Sequence, residues 1–444
     1  MTDDGDLLNI LHHRNPWWRG KSPAATIDRV EVPEVLRWAG SDQVLALCGM
    51  RRSGKTSLLR LVAAQRALRA DSPVPGASPG RSVLFVDFEE HGFGAQRGDP
   101  SFPERLFRLY LQHIEPAELP LVLLDEVQEV PEWSRWVRSV VETGRATVAV
   151  TGSSSQLIEP ELARVLTGRH VTLPIHPLCF ADALRFRRQL EVDEASALPL
   201  RDLETCCHDY LRYGGLPRVT LEARDDDREH LLSEYFEQIL VNDVIGRHGL
   251  RARDQVRSLA LHLLRHTGTQ ITWVSLKKKL ALSMDQVREW TEHLVDARLV
   301  HLVRRLSRSP GEAEQSPRKV YAGDLGVRHA TTLQFSPDLG HLAETAVFLQ
   351  LLRARHSAVL YWQGDRECDF VLWRGDRAVE AIQVCYTDSA MPEREQAGLL
   401  EAMRTWGLSV GTLITRDQSE TIRLDGREIR CVPLARWLLT WGEP

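Results

Sequence analysis

The sequence predicts an α/β fold whose core is a parallel sheet, with smaller helical and mixed domains after it. Four runs are apolar throughout and predict buried strands at residues 43–48, 82–88, 119–126 and 146–152. Segments with helical periodicity separate these runs, at residues 55–70, 103–115 and 132–144. Strands that are apolar at successive residues, without alternating polar ones, and that are separated by helices are typical of a parallel sheet covered on both faces.

Composition indicates a soluble protein of several domains. The chain has 444 residues, of which 43% are hydrophobic and 26% charged, and its net charge is −5. Because a single core stops growing below this length, we expect about two to four domains. Seven cysteines without a C-x-x-C pair argue against a zinc ribbon or a disulfide framework. An acidic N-terminus and the lack of a long apolar run predict a cytoplasmic location and no membrane partner.

Beyond residue 179 the pattern becomes helical. Helix-like spacing covers residues 203–212, 228–245, 252–266, 273–281 and 284–297. An apolar strand at 299–306 and a polar segment at 307–318 follow, and this order indicates a winged helix. Residues 335–444 return to a mixed pattern of helices and strands.

A phosphate-binding motif follows the first predicted strand. Residues 49–56 read GMRRSGKT and match G-x-x-x-x-G-K-[ST] between a strand and a helix. Gly49 and Gly54 let backbone N–H groups approach phosphate oxygens, and the helix N-terminus adds partial positive charge. We predict that Lys55 neutralises the β- and γ-phosphates of ATP and that Thr56 binds Mg²⁺. The same nucleotide site is expected to include Arg52, Ser53 and Ser57.

An acidic pair ends the third predicted strand. LVLLDE ends with Asp125 and Glu126, at the carboxyl edge where ligands of parallel sheets bind. Asp125 is predicted to hold Mg²⁺, and Glu126 to orient or deprotonate the attacking water. The alternative for the glycine-rich loop is a chance turn, but the acidic pair favours nucleotide binding.

Two further residues are candidates for sensing the γ-phosphate. Ser153 follows the fourth predicted strand and is either a phosphate sensor or a helix N-cap. Arg169 is either an arginine that contacts phosphate, in its own subunit or a neighbouring one, or an ordinary surface arginine. A finger supplied by a neighbour would require a homo-oligomer.

The chain contains seven short motifs in this order: NPWW (15–18), GMRRSGKT (49–56), LLDEVQEVPEW (124–133), TGSSS (151–155), TGR (167–169), PLCF (177–180) and YGGLP (213–217). This combination resembles the archaeal-type ATPase family, a branch of the AAA+ and signalling-ATPase superfamily. The resemblance implies an ATPase core at 1–178, a helical lid at 179–246, a winged helix at 247–325 and a restriction-endonuclease-like domain at 335–444. It also implies that adenine binds near Asn15 and Trp17.

The middle of the chain is locally basic. Residues 250–308 hold twelve arginines and lysines against five acidic residues. The basic residues expected on the winged helix are Lys277, Lys278, Lys279, Arg288, Arg304, Arg305 and Arg308. Attraction to the phosphates of DNA is one interpretation, and a winged helix that faces a protein partner is the other.

The last domain resembles a PD-(D/E)XK nuclease, in which carboxylates bind a metal and a lysine helps to activate water. Glu344 and Asp369 lie at two carboxylate positions. Gln383 and Cys385 occupy the positions of the third carboxylate and the lysine, on one face of a strand. We therefore expect a degenerate domain in which Glu344 and Asp369 bind Mg²⁺ only weakly.

The leading hypothesis is an ATPase that acts as a switch or motor, with ATP and Mg²⁺ as cofactors and DNA as a partner of the winged helix. Two alternatives stay open. One is an ATP-regulated, metal-dependent nuclease, and the other is a signalling scaffold that binds protein partners.

Overall fold

The computed structural model describes residues 3–21, 29–68, 79–152, 168–331, 339–354, 357–387 and 393–441. The chain divides into two compact units, Met1–His176 and Pro177–Pro444. The border between these units lies two residues before the predicted end of the ATPase core. Within the described ranges, no helix is both long enough and apolar enough to cross a membrane.

Five described strands of the first unit form one sheet: β1 (Val44–Cys48), β2 (Val83–Asp87), β3 (Leu121–Asp125), β4 (Thr147–Gly152) and β5 (His170–Pro174). Their order is β2-β3-β4-β1-β5, and every neighbouring pair is parallel. This confirms the predicted parallel-sheet core. β5 was not predicted because it is a half-exposed edge strand and lacks an unbroken apolar run.

The described α-helices of this unit are α1 (Asp4–Arg14), α2 (Val32–Ala39), α3 (Lys55–Ala67), α4 (Phe102–Ile114) and α5 (Trp133–Glu142). The segments predicted to be helical did not include α1, so α1 is a correction. Only Leu7 and Leu11 of α1 are buried, which gives a weak periodic signal. The Asp3 side chain caps α1 by accepting from the Asp6 N–H at 2.7 Å.

The strand order positions the predicted site. β1 lies between β4 and β5, and β3 lies on the other side of β4. Because all strands are parallel, the loop after β1 and the residues that end β3 reach the same edge of the sheet. Buried residues of β1 anchor this edge, since Val44 through Cys48 have 0% exposure.

The second unit begins with helices: α6 (Phe180–Arg188), α7 (Val192–Ser196), α8 (Leu200–Tyr213), α9 (Pro217–Leu221), α10 (Asp225–Gln238), a π-helical segment (Ile239–Gly246), α11 (Arg253–Arg265), α12 (Trp273–Leu280) and α13 (Met284–Asp296). A small antiparallel sheet follows, with strands β6 (Thr269–Ile271), β7 (Val300–Val303) and β8 (Arg318–Ala322) in the order β6-β8-β7. A short helix, α14 (Pro310–Gln315), lies in the segment predicted to be a polar loop.

The remaining helices are α15 (Leu325–Thr331), α16 (Leu339–Leu351), α17 (Glu393–Trp406) and α18 (Leu434–Thr440). They accompany a mixed sheet with strands β9 (Ala358–Gln363), β10 (Glu367–Arg374), β11 (Arg377–Cys385), β12 (Val410–Thr415), β13 (Glu420–Leu424) and β14 (Arg427–Pro433). The order is β13-β14-β12-β11-β10-β9. β10 pairs antiparallel with both β9 and β11, β12 pairs parallel with both β11 and β14, and β13 pairs antiparallel with β14.

Candidate functional site

The glycine-rich loop joins β1 to α3 at the carboxyl edge of the sheet. Lys55, the first residue of α3, is 4% exposed, and its Nζ donates to the carbonyl oxygens of Gly49 and Met50 at 3.0 and 3.1 Å. Gly54 precedes α3 and provides no side-chain cap for its first turn. The N–H groups of that turn and the Lys55 ammonium therefore form a set of donors suited to phosphate oxygens.

Two glycines of the loop are required for different reasons. A Cβ on Gly49 would lie 2.1 Å from the Ile175 carbonyl oxygen, so the loop passes directly against the segment that leaves β5. Gly54 has a φ of +98°, a conformation that L residues rarely adopt. Arg52 also has a positive φ of 69°, and its side chain is exposed.

The two acidic residues end β3 as predicted. Asp125 is 2% and Glu126 8% exposed. The Thr151 hydroxyl, at the end of β4, donates to Asp125 Oδ1 and accepts from the Glu126 N–H at 3.1 Å. The Thr56 hydroxyl also hydrogen-bonds to the Asp125 side chain. The structure thus brings together the loop hydroxyl and the strand carboxylate that were predicted to share Mg²⁺.

Burial raises the pKa of Asp125 to about 6, and its hydrogen bonds to Thr151 and Thr56 oppose that rise. The carboxyl group is therefore mostly ionised at neutral pH. A bound cation would favour the ionised form further. One carboxylate, one hydroxyl and the oxygens of a polyphosphate are a typical ligand set for Mg²⁺, so these residues fit Mg-ATP.

Glu126 is held in an unusual backbone conformation, with a φ of +52°. Its Oε2 accepts a hydrogen bond from Gln128 Nε2. This neutral amide donor restricts the orientation of the Glu126 carboxylate and places no positive charge beside it. Sequence reasoning did not identify Gln128 or Thr151 as part of the site, although Thr151 opens the TGSSS motif.

A buried arginine holds the backbone of the glycine-rich loop. Arg29 is 5% exposed, and it donates to the carbonyl oxygens of Ser53 and His176, each at 2.7 Å. Its charge is balanced by Glu31, at 2.7 Å. Ser53 itself is fully buried, and among the described residues its Oγ has no hydrogen-bond partner. Arg29 and Glu31 were also missed, because RVEV in isolation gives no sign that both side chains are buried.

The expected adenine contacts at Asn15 and Trp17 require correction. Asn15 is fully buried. Its side-chain amide donates to the Phe85 carbonyl and accepts from the Phe85 N–H, both in β2. Trp17 Nε1 donates to the Val83 carbonyl at 3.0 Å. β2 lies three strand spacings from β1, which is about 14 Å. Both side chains therefore anchor the N-terminal segment to the far edge of the sheet.

The remaining predicted phosphate contacts differ in their outcome. Arg169 precedes β5, and its carbonyl accepts from the Val44 N–H at the start of β1. It thus lies at the amino edge of the sheet, about 15 Å from the loop, and cannot contact phosphate in its own subunit. Ser153 lies outside the described residues. Ser57 is exposed on the first turn of α3.

In the second unit, the structure brings Glu344 and Asp369 together, but around an amine. Lys319 Nζ lies 2.7 Å from Glu344 Oε1 and 2.8 Å from Asp369 Oδ1. Among the described residues, no group of three His, Cys, Asp or Glu side chains is arranged to hold a metal ion. A lysine that sequence reasoning missed thus lies between the two carboxylates that were predicted to bind Mg²⁺ weakly.

Comparison with protein families assigns the first unit most directly. Residues 41–184 match the family model of an AAA domain, and residues 205–338 match a domain of unknown function, DUF8612. The AAA match begins just before β1 and includes the phosphate loop, the acidic pair and β5. It supports a nucleotide-binding P-loop ATPase of the AAA+ type.

Two relatives cover nearly the whole chain. An uncharacterized protein of Methanocaldococcus jannaschii is 26% identical over 90% of this chain and 89% of its own length. An uncharacterized protein of Haemophilus influenzae is 24% identical over 92% of this chain and 97% of its own length. Neither relative has an established activity to transfer.

Among solved structures, AMPPCP-bound DnaA from Aquifex aeolicus aligns with a TM-score of 0.29 and 13% identity, over 60% of this chain and 85% of that one. The ADP complex of Hsp104 from S. cerevisiae aligns with a TM-score of 0.33 and 15% identity, over 64% of this chain and 40% of that one. Scores this low do not establish a shared overall fold.

Proposed function

We propose that the chain hydrolyses Mg-ATP at the carboxyl edge of the first sheet and uses the hydrolysis as a switch or motor. The observation that carries this proposal is the convergence of Lys55 and Thr56 with Asp125 and Glu126. Two contiguous motifs, about 70 residues apart in the chain, supply an ammonium, a hydroxyl and two carboxylates at one place.

Each residue has a distinct role in this reaction. The Lys55 ammonium exchanges its two carbonyl partners for phosphate oxygens, and the N–H groups at the start of α3 orient the phosphates. Thr56 and Asp125 would hold Mg²⁺, which neutralises charge that develops on the phosphoryl group. Glu126 accepts a proton from the attacking water, and Thr151 orients the Asp125 carboxylate and holds the Glu126 backbone.

We further propose that Arg169 acts only on the nucleotide of a neighbouring subunit. Its exposure and its place at the amino edge of the sheet are compatible with contact to a second copy of the chain. This role implies a homo-oligomer. Ser153 remains a proposed sensor on the segment that follows β4.

Replacement of Lys55 by alanine tests the nucleotide site. We expect ATP to bind at least about tenfold more weakly to Lys55→Ala, since about 1.4 kcal/mol of charge-assisted bonding is lost at minimum. Titration with a fluorescent ATP analogue measures this affinity. Lys21→Ala removes an exposed lysine of the same unit and should bind like wild type. Equal affinity of wild type and Lys55→Ala would show that nucleotide binds elsewhere.

We propose that the second unit binds DNA through a winged helix formed by α11, β6, α12, α13, β7 and β8. This order of elements supports the assignment, as do the exposed side chains of Lys277, Lys278 and Lys279 at the end of α12. The arginines that follow contribute less than their number suggests. Arg305 pairs with Glu312 at 2.9 Å, and Arg304 lies 3.8 Å from Glu314.

DNA affinity should therefore depend on salt chiefly through the lysines of α12. In the triple variant of Lys277, Lys278 and Lys279 to alanine, we expect the slope of log affinity against log salt to fall in magnitude by about 3. Fluorescence anisotropy with a labelled duplex measures both slopes. Arg201→Ala, which removes an exposed arginine elsewhere in the unit, is the matched control. An unchanged slope in the triple variant would favour a winged helix that faces a protein partner.

For the last domain we propose a nuclease-like fold with a docking role. Support comes from the succession α16, β9, β10, β11, α17 and β12, in which three antiparallel strands precede a helix and a parallel strand. Gln383 does not provide the missing carboxylate, since its amide bonds to the Asp369 N–H and to Glu395. Cleavage of DNA by a bound metal is therefore the less favoured function.

A further inference from the structure

A single buried ammonium organises the acidic residues of the second unit. Lys319 is 1% exposed. Its Nζ lies 2.7 Å from Glu344 Oε1, 2.5 Å from Glu367 Oε1 and 2.8 Å from Asp369 Oδ1. The ammonium donates hydrogen bonds to Glu344 and Asp369, and Glu367 forms an ion pair with it, so three carboxylates balance one positive charge.

The four side chains come from three elements. Lys319 belongs to β8 of the small sheet, Glu344 to α16, and Glu367 and Asp369 to β10. Tyr321 lies two residues beyond Lys319, on the same face of β8, and its hydroxyl donates to Glu344 Oε1 at 2.6 Å. The lysine therefore arrives from a strand that precedes the last domain in the chain.

The second carboxylate oxygens of Asp369 and Glu367 are also engaged. Asp369 Oδ2 accepts from the Val384 N–H at 3.0 Å, and Glu367 Oε2 accepts from Gln270 Nε2 at 2.7 Å. These bonds point the first oxygens towards Lys319 Nζ. The carboxylates are thus oriented around one cation, the Lys319 ammonium.

We propose that Lys319 takes the place of a divalent cation in this cluster, which makes the last domain independent of metal. Oxygen ligands of Mg²⁺ lie at about 2.1 Å, so an ion at this centre would have to displace the ammonium. The cluster instead works as an internal ion network that fixes β8 to α16 and β10. This proposed role of Lys319 is separate from ATP hydrolysis and concerns only the second unit.

Backbone contacts near the cluster agree with this fixing role. The Leu306 N–H donates to the Tyr361 carbonyl at 2.7 Å, and the Tyr361 N–H donates to the Arg304 carbonyl at 3.1 Å. The chain after β7 thus pairs with β9, the edge strand of the mixed sheet. Ionic and backbone contacts together join the small sheet to the mixed sheet.

Removal of the ammonium should convert the cluster into a metal site. Without Lys319, three carboxylates would remain together without a cation, which is unfavourable unless a cation replaces it. A cleft of about 730 Å³, lined by Glu344, Glu367 and Asp369, gives ions access. Lys319→Met keeps an unbranched side chain that is one atom shorter, and it removes the charged amine with its hydrogen-bond donors.

Mn²⁺ titration of the full chain without nucleotide, followed by electron paramagnetic resonance of the free ion, tests the proposal. Wild type and Asp369→Asn should bind the same amount of Mn²⁺. Lys319→Met should bind about one more ion per chain, at least about tenfold more tightly than any site of wild type. The double variant Lys319→Met/Asp369→Asn should lose that ion. Because nucleotide is absent, the result does not depend on ATP hydrolysis.

Two outcomes would overturn the proposal. One is an Mn²⁺ ion that wild type binds and Asp369→Asn does not, since the cluster would then hold metal with Lys319 present. The other is a folded Lys319→Met that gains no ion. If Lys319→Met fails to fold, the comparison of wild type with Asp369→Asn still decides, because it requires no change at Lys319.

Discussion

Glu126→Gln should lower the rate of phosphate release by about a thousandfold while ATP affinity changes by less than about threefold. Glutamine keeps the size of the side chain and can still accept the hydrogen bond from Gln128. It cannot take a proton from water at neutral pH. The predicted variant therefore binds Mg-ATP and retains it, which separates the chemical step from binding.

The matched control lies on the same turn. Glu129 is exposed and lies 3.8 Å from Arg97, outside the group of side chains that meets the loop. Glu129→Gln should release phosphate within about twofold of the wild-type rate. Single-turnover kinetics of both variants measure the chemical step directly. A Glu126→Gln enzyme that keeps more than a tenth of the activity would place the general base at another residue.

The part of the nucleotide site that could be predicted is the part encoded in contiguous motifs. GMRRSGKT directly follows β1 and LLDE ends β3, so local pattern was sufficient to predict that they converge. Thr151, Arg29 and Lys319 depend on neighbours far away in the chain. Lys319, for example, meets Asp369 across 50 residues, and nothing near Lys319 in sequence indicates that partner.

Resemblance to family motifs predicted the roles of single residues less well than the contacts that each side chain makes in the fold. Asn15 and Trp17 belong to a motif that implied adenine, yet their polar atoms satisfy backbone groups of β2. Strands with short or alternating patterns, such as β6, β8 and β13, were also missed. Each of these is defined by its pairing partner, which single-sequence periodicity does not reveal.

Gly215→Ala should destabilise the second unit by about 3 kcal/mol and lower its melting temperature by roughly 8 °C. A Cβ at residue 215 would lie 2.1 Å from the Leu178 carbonyl oxygen and 2.9 Å from the Leu178 N. The Leu178 N–H donates to the Gly215 carbonyl at 2.6 Å, so the two backbones are already in direct contact. Neither can move without breaking this bond.

The neighbouring Asp324 makes relaxation of the loop more costly. Its buried carboxylate accepts from the N–H groups of Gly215 and Gly326, each at 2.9 Å, and from Val327 at 3.1 Å. A shift of residue 215 away from Leu178 would leave part of that carboxylate unpaired in a buried position. YGGLP is therefore explained by close packing of backbone within the second unit.

Gly311→Ala distinguishes this steric effect from a general effect of alanine. A Cβ on Gly311, within α14, would meet no atom within 4 Å. We expect Gly311→Ala to be neutral or to stabilise by about 0.5 kcal/mol, since alanine favours a helix. Thermal unfolding together with hydrogen exchange at the amides of residues 215 and 326 measures both variants. If Gly215→Ala melted within about 2 °C of wild type, with those amides still protected, the contact with Leu178 would be able to relax and the packing explanation would be wrong.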